Sequence, residues 1–492
     1  MPGKFEAPRN GGNPPDRPRS GGNPSSRPGN GGNPPNRRRP RRRRKRFQPI
    51  LLLPLVLVLV VAALLLTRCG KQADGTQTEP RQTTAPTETT VPRPTVISTA
   101  TVVSQGDLLM HKYLFTADPR FPAECNLGDG TYNFDSIFRY MDPFVAQADY
   151  AVANLETTFG GDDFPYQGNP SFNCPDALAD SLVSAGYDML LTANNHSYDT
   201  LMTGINRTLE QVRGRGLETL GTRLSENENR YSIVEVNGIR IGMVCYTFTL
   251  SMNGSKPSLN NNAPMEKPEQ INYFSADNLN GFYSEMEQIV AQMNAQDVEA
   301  SMLFLHWGTE YELTENDTQR AIAQKMCDMG FDVIVGGHPH VVQPMDLLTS
   351  TLDPEQKTVC IYSLGNAVSN QRREEMRMKT GHTEDGALFS VTFEKYDDGS
   401  VYVADCDVLP TWVNKFVNKD GKVEYNILPL DESQQGQWKT QFGLTDALTE
   451  ELQASYTRTM DIVGVGLTKC QTFLRQDKQQ RDQGGAVTDL AA

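Results

Sequence analysis

Between residues 96 and 410, short apolar runs alternate with amphipathic stretches, and five of the six histidines follow closely on such runs. This alternation constrains the fold more than any other feature. The spacing predicts strands over Val96–Gln105, Tyr150–Asn154, Met189–Thr192, Ile233–Val236, Ile239–Tyr246, Ala300–Leu305, Val333–Gly336, Thr358–Ser363, Ala387–Phe393 and Val401–Val408. Helices are predicted over Phe134–Gln147, Pro175–Ala185, Thr200–Arg215, Leu279–Ala295 and Asn316–Met329. Strands and helices in turn indicate an α/β fold with a largely parallel sheet. Asn237-Gly238 and Asp397-Asp398-Gly399 are hairpin signals, so the second half mixes in antiparallel strands.

The histidines then acquire a place. Asp107 to His111, Asn194-Asn195-His196, His306-Trp307-Gly308 and His338-Pro339-His340 each follow an apolar run. Ligands at the ends of buried strands are how open α/β sheets build sites, and histidine is the commonest metal ligand. One metal or acid–base centre assembled from distant segments is expected. Asp107 suits a divalent cation, or else caps a turn. Glu156 is a terminal or bridging ligand, or a solvated surface group. Asn195 and His196 together suit a divalent transition metal. Glu310, four residues after His306, is open to three roles: ligand, histidine partner or general base. Trp307 reads as core. An extended His338-x-His340 places both imidazoles on one side. Asn366 binds substrate or holds a loop. Ser363 lacks the Gly-x-Ser-x-Gly setting of a nucleophile. His382 reads as a loop residue at the rim.

Around this domain lie segments of different character. Within residues 1–48, positions 8–37 repeat Gly, Asn, Pro and Arg with a period of ten, and Arg37 to Arg46 are nine basic residues in ten. Such a tail buries too little to order itself. Residues 49–67 carry no charge and match the roughly 17–25 apolar residues that span a membrane. No small-x-small site follows, so an uncleaved anchor is expected, with its basic side cytoplasmic and the rest outside. Residues 68–95 read as a Thr/Pro-rich stalk, 96–410 as the main domain, and 411–492 as a partly helical extension with a disordered end. The tail holds 14 Lys/Arg against 2 Asp/Glu, a balance of +12. Since the chain is −14 overall, the remainder carries −26. That excess makes nucleic acid a poor partner, and an anionic substrate would need local basic groups or metal. The basic run suits anionic lipid. Residues 251–278 are expected to form a long loop near the site. Eight cysteines do not make a disulfide scaffold in a chain this long, although a Cys125–Cys174 bridge is one expectation.

Gly106-Asp107, Asn154-Leu155-Glu156, Asn195-His196, His306-Trp307-Gly308-x-Glu310-Tyr311, Gly337 to Gln343 and Tyr362 to Asn366 occur in an order that resembles the CapA-type capsule and poly-γ-glutamate synthesis proteins. The resemblance covers about residues 99–410. It implies a metallo-dependent phosphatase-like α/β/β/α sandwich with mixed sheets. It also implies work on an anionic surface polymer or its precursor, beside membrane-embedded polymer synthase subunits. Carried onto this chain, the pattern implies Asp107, Glu156, Asn195, His196, His306, His338 and His340 as ligands of one or two divalent ions (Mn, Zn or Fe). Leu109 stands where that pattern has a second ligand, with His111 two residues on, and Glu156 stands where it has Asp. His111 and Glu310 are then the proton-moving residues, and Gln343 and Asn366 the substrate-binding ones. Two function classes follow. One is a hydrolase or transferase acting on a phosphoester or amide; the other is a non-catalytic polymer-binding or scaffold subunit.

Overall fold

The computed structural model describes residues 94–116, 122–249, 251–253, 256–260 and 263–483. The basic tail, the apolar segment 49–67 and all but the last two residues of the stalk lie outside them. Among the described residues no helix is long and apolar enough to cross a membrane.

In chain order the strands are β1 (Val96–Leu108), β2 (Tyr150–Asn154), β3 (Met189–Leu191), β4 (Glu218–Leu220), β5 (Tyr231–Val236), β6 (Ile239–Thr249), β7 (Ser251–Asn253), β8 (Lys256–Ser258), β9 (Tyr273–Ser275), β10 (Ala300–His306), β11 (Val333–Gly337), β12 (Val342–Thr349), β13 (Lys357–Leu364), β14 (Asn366–Val368), β15 (Asp385–Tyr396), β16 (Val401–Val417) and β17 (Val423–Pro429). One mixed sheet runs β17-β16-β15-β1-β2-β3-β4, with β14 also on β1. The other runs β12-β13-β11-β10-β6-β5, with β9 on β6. In the first sheet β1 to β4 are parallel. In the second, β6, β10, β11 and β13 are parallel.

Period-two alternation explains the layers. Val102, Val152, Met189, Phe389 and Val391 of the first sheet face Ile241, Met243, Met302, Phe304, Val335 and Ile361 of the second in one core. The intervening residues point outward. Val103, Ala151, Ala153 and Leu190 meet the helices that carry Ile137, Phe138, Leu178 and Leu182. Val244, Leu303, Leu305 and Ile334 meet Phe282, Met286, Ile322 and Met326 on helices Leu279–Asn294 and Asp317–Asp328. Covering both faces makes the central strands continuously apolar. The result is the four-layered α/β/β/α arrangement expected.

Several expectations are corrected. The single helix over 134–147 is two four-residue helices, Asp135–Phe138 and Asp142–Val145. Pro143, near the start of the second, cannot donate to Arg139 and forces the chain to restart. The boundary at 410 falls inside β16, which continues to Val417 and pairs with β17. Pro410 sits within this strand, opposite Ala387. Strand β12 also carries a proline, Pro344, tolerated because β12 is an edge strand. Both hairpins form: β5–β6 turns at Asn237 and Gly238, each with positive φ, and β15–β16 turns beyond Tyr396. The seven described cysteines are all buried free thiols, so Cys125 and Cys174 are not bridged here.

The C-terminal segment belongs to the domain. Helix Asp446–Gln483 lies along β12 and β16, and its Val463, Leu467, Cys470 and Leu474 join the inter-sheet core. It closes one open side of the sandwich.

Candidate metal centre

The carboxyl ends of β1, β2, β3, β10 and β11 meet at one place, and each delivers a polar residue there. Asp107, wholly buried, stands beside Asn154 of β2 on one side and Asn366 of β14 on the other. A Cβ on Gly106 would lie 2.1 Å from Gly365 O, so only glycine lets β1 come this close to the 365 turn. Glu156 follows β2 and is also wholly buried. Asn195 and His196 follow β3. His306 ends β10 in register with Gly337, the last residue of β11. A Cβ on Gly337 would sit 2.8 Å from Asp107 Oδ1.

His338 and His340 have φ of 96° and 56°, so the extended His-x-His expected is replaced by a tight left-handed bend. The bend still brings both rings to the centre, 6.0 Å apart, with His338 4.8 Å from His306. It also lets the His338 N–H donate to Asp107 Oδ2 at 3.2 Å.

Two trios of donor atoms, each within 4.8 Å of one another, result: Glu156 with His306 and His338, and Asp107 with Glu156 and His340. Glu156 is common to both. Its two oxygens accept no hydrogen bond although wholly buried, and His338 Nδ1 is likewise buried and unbonded. The nearest offsets of Glu156 are His306 Nε2, 3.4 Å from Oε1, and His340 Nδ1, 3.9 Å from Oε2, and a buried carboxylate without hydrogen bonds is costly. Carboxylate and imidazole donors around it suit a divalent transition metal, so the residues fit the ion the pattern implies.

Without an ion the carboxylates draw a proton onto His340, which a metal bound there would have to displace. Burial opposes charge on His340, but Glu156 and Asp107 outweigh it and push the imidazole up to about 9. Burial alone would raise Asp107; the hydrogen bond from His340 and the charges of His306 and His340 instead hold it well below the usual range. Burial and the neighbouring imidazoles keep His338 neutral, as a ligand must be.

Supporting amides surround these groups. Asn154 Nδ2 donates to Asp107 Oδ1 at 2.7 Å, and Asn194 Nδ2 donates to Asn154 Oδ1 at 3.2 Å and Leu155 O at 2.8 Å. Asn195 Oδ1 lies 2.6 Å from His306 Nε2. Asn366 is wholly buried; its Oδ1 is 3.1 Å from His340 Nδ1 and its Nδ2 donates to His340 O, Gln371 and Thr383 O. Asn366 therefore orients His340. Gln343 is also wholly buried and bonds Glu312 O, Thr314 O and Gln319, so it holds the loop before helix Asp317–Asp328. Both amides, expected to bind substrate, are engaged in these protein contacts.

His196 belongs to neither trio. Its Nδ1 is 2.7 Å from Asp199 Oδ2, which also accepts the Phe172 N–H. It forms an aspartate-backed imidazole at the edge of the site, where Asn260 of the 251–278 segment bonds Asn195. His111 lies beyond Phe172, whose ring meets His111 and His196 edge-on at 5.2 and 4.5 Å. Burial pushes His111 down to about 4, and its Nδ1 is 3.3 Å from Asn370 N, outside both trios. Glu310 is exposed; the hydroxyl of the adjoining Tyr311 accepts from Gln371 Nε2 at 3.2 Å, and the Tyr311 ring is 6.1 Å from His340. Trp307 is core, donating to Tyr362 O. Ser363 is buried and accepts from Gly365 N. His382 pairs with Thr380 in the loop. Asn154, Asn194, Asp199 and Tyr311 escaped the sequence reading as functional residues. All four flank its motifs, and Asp199, three residues after His196, carried the clearest signal.

Residues 101–371, more than half the chain, match the family described as bacterial capsule synthesis protein PGA_cap. The PGA biosynthesis protein CapA of Bacillus subtilis (strain 168) is 26% identical over 309 residues, covering 62% of this chain and 70% of that one. The capsule biosynthesis protein CapA of Bacillus anthracis is 27% identical over 286 residues, covering 57% of this chain and 62% of that one. A solved 5'-nucleotidase precursor from Thermus thermophilus aligns over 73% of this chain and 59% of its own length, with a TM-score of 0.37 and 16% identity.

Proposed function

Because the chain belongs to the bacterial capsule synthesis protein family PGA_cap, we propose that it acts in building or anchoring an anionic surface polymer of the poly-γ-glutamate kind, through a metal-dependent hydrolase- or transferase-type centre. Segment 49–67 anchors it with the domain outside the cell, near anionic lipid and membrane-embedded synthase subunits. The carrying observation is Glu156: a wholly buried carboxylate, without a hydrogen bond, shared by two donor trios.

In this reading Glu156, His306 and His338 hold one divalent ion, and Asp107, Glu156 and His340 form a second position. A bound ion supplies Lewis acidity there. Asn366 and Asn195 fix the ring planes of His340 and His306. His196, backed by Asp199, gives or takes a proton at its Nε2 at the edge of the site. Attraction for an anionic substrate rests on the ion. The acid excess of the domain then favours one bound segment over bulk adsorption of polymer.

The test is turnover. The full chain, loaded with Mn²⁺, Zn²⁺ or Fe²⁺, is assayed against phosphoester and γ-glutamyl amide substrates beside Glu156→Gln and His196→Ala. Turnover that Glu156→Gln abolishes and His196→Ala lowers by about 10²–10⁴-fold supports the reading. A metal-loaded chain that binds polymer without cleaving either class overturns the catalytic part and leaves the scaffold subunit.

A further inference from the structure

Asn260 reaches the metal centre from a segment outside the motifs that build it. Its Oδ1 accepts from Asn195 Nδ2 at 2.9 Å, and its Nδ2 lies 3.1 and 3.4 Å from Nδ1 and Nε2 of His196. The segment that carries Asn260 is built to hold it there. Leu259, Met265 and Ile271 are buried with Tyr198 and with Met202, Ile205 and Leu209 of helix Leu201–Arg213, which follows His196. Glu266 N–H donates to the Tyr198 hydroxyl at 3.1 Å, and Met265 N–H donates to Pro257 O at 3.0 Å. Further on, Gln270 O accepts from Arg223 N and Asn272 N donates to Gly221 O, each at 2.8 Å, which ties the segment to the end of β4. Asn260 itself has a φ of 50°, a left-handed backbone that asparagine tolerates better than most side-chain-bearing residues.

An amide side chain has two faces. Turned one way it offers a cation an oxygen; turned the other it offers an N–H group that a cation repels. Asn195 has its oxygen 2.6 Å from His306 Nε2, on the side of the donor trios. Its nitrogen needs an acceptor on the other side, and Asn260 Oδ1 is that acceptor. We infer that Asn260 is a positioning residue: by accepting from Asn195 Nδ2 it keeps Asn195 Oδ1 turned toward His306 and toward an ion held by Glu156, His306 and His338. The contact of Asn260 Nδ2 with the His196 ring orients the Asn260 amide in turn, so that its oxygen faces Asn195. One side chain thus ties the amide beside the ion position to the aspartate-backed imidazole at the edge of the site. This inference rests on the metal centre proposed above. Asn260 is exposed, so deleting its side chain opens no buried cavity.

The test titrates the full chain with Co²⁺, whose visible absorption reports the atoms around it. Asn260→Gly removes the amide and leaves the left-handed backbone unstrained, and urea unfolding of the metal-free protein checks the fold. The variant should unfold like wild type, bind Co²⁺ about 10–100-fold more weakly and show a changed visible spectrum. Adding Asn260→Gly to Asn195→Ala should alter the affinity by less than about twofold, because Asn260 acts through Asn195. If Asn195→Ala does not fold, the affinity and spectrum of Asn260→Gly decide alone. Wild-type affinity and spectrum in Asn260→Gly overturn this inference and leave the metal centre standing. An equal loss with Asn195 present or removed overturns it as well. A wild-type chain that takes up no Co²⁺ overturns the metal centre and this inference with it.

Discussion

A single carboxylate organises the centre. Glu156 is buried by the same sandwich that buries Trp307, yet receives no hydrogen bond, so its charge is offset only by histidines or a cation. Glu156→Gln should therefore lower metal affinity by at least ~10-fold while leaving the metal-free fold as stable or more so; isothermal titration beside urea unfolding reads both, and undiminished binding would contradict the assignment. Asn366 acts one step out. Asn366→Ala frees His340 and strands two buried carbonyls, so metal affinity should fall about 10–100-fold and stability by about 1–3 kcal/mol. Away from the site, Asp332 offers a pH signature. Burial lifts its carboxyl to about 6 from the usual 3.8, against two hydrogen bonds from Ser301. A raised acid favours the folded state only while protonated: its contribution is full below about 3.8 and lost as pH rises through 6. Asp332→Asn should remove this loss, so the variant gains on the order of 1–3 kcal/mol over wild type between pH 4 and 7. Parallel urea midpoints across that range would refute it.

The elements place these residues, and they were unevenly legible in the sequence. Strands whose two faces are both covered announce themselves as apolar runs, so β1, β2, β3, β10 and β11, with the ligands at their ends, could be read directly. Edge strands β12 and β17 could not, because one side meets solvent or a helix and proline is tolerated there. The His338–His340 bend was misread because its left-handed backbone is set by contacts to Asp107 and Asn366, far away in the chain. The C-terminal helix was visible as polar and helical, but its docking was not. Two of its glycines test that docking with opposite signs. A Cβ on Gly466 would lie 1.9 Å from Met345 O, whereas one on Gly464 meets nothing nearer than Met460 Cε at 3.9 Å. Gly466→Ala should cost about 1–3 kcal/mol and Gly464→Ala should gain about 0.5–1 kcal/mol. Equal shifts in urea midpoint would mean that the helix does not lie against β12.

Taken as one molecule, the fold uses two parallel strand sets, one in each sheet, to bring residues some 230 positions apart into a single, largely buried cluster. Such a cluster of like-charged carboxylates and crowded imidazoles is expected to be least stable without its ion. Removing metal from the full chain with a chelator should lower its unfolding free energy by about 3–4 kcal/mol relative to protein held at a hundred- to a thousand-fold excess of ion over Kd. The most direct test is metal content of the purified full chain, measured beside a His338→Ala/His340→Ala double variant whose folding is checked by circular dichroism. The expected result is stoichiometric metal in the wild type after reconstitution with Mn²⁺, Zn²⁺ or Fe²⁺, and its loss in a variant that remains folded. No metal in either protein, with both folded, would contradict the metal centre.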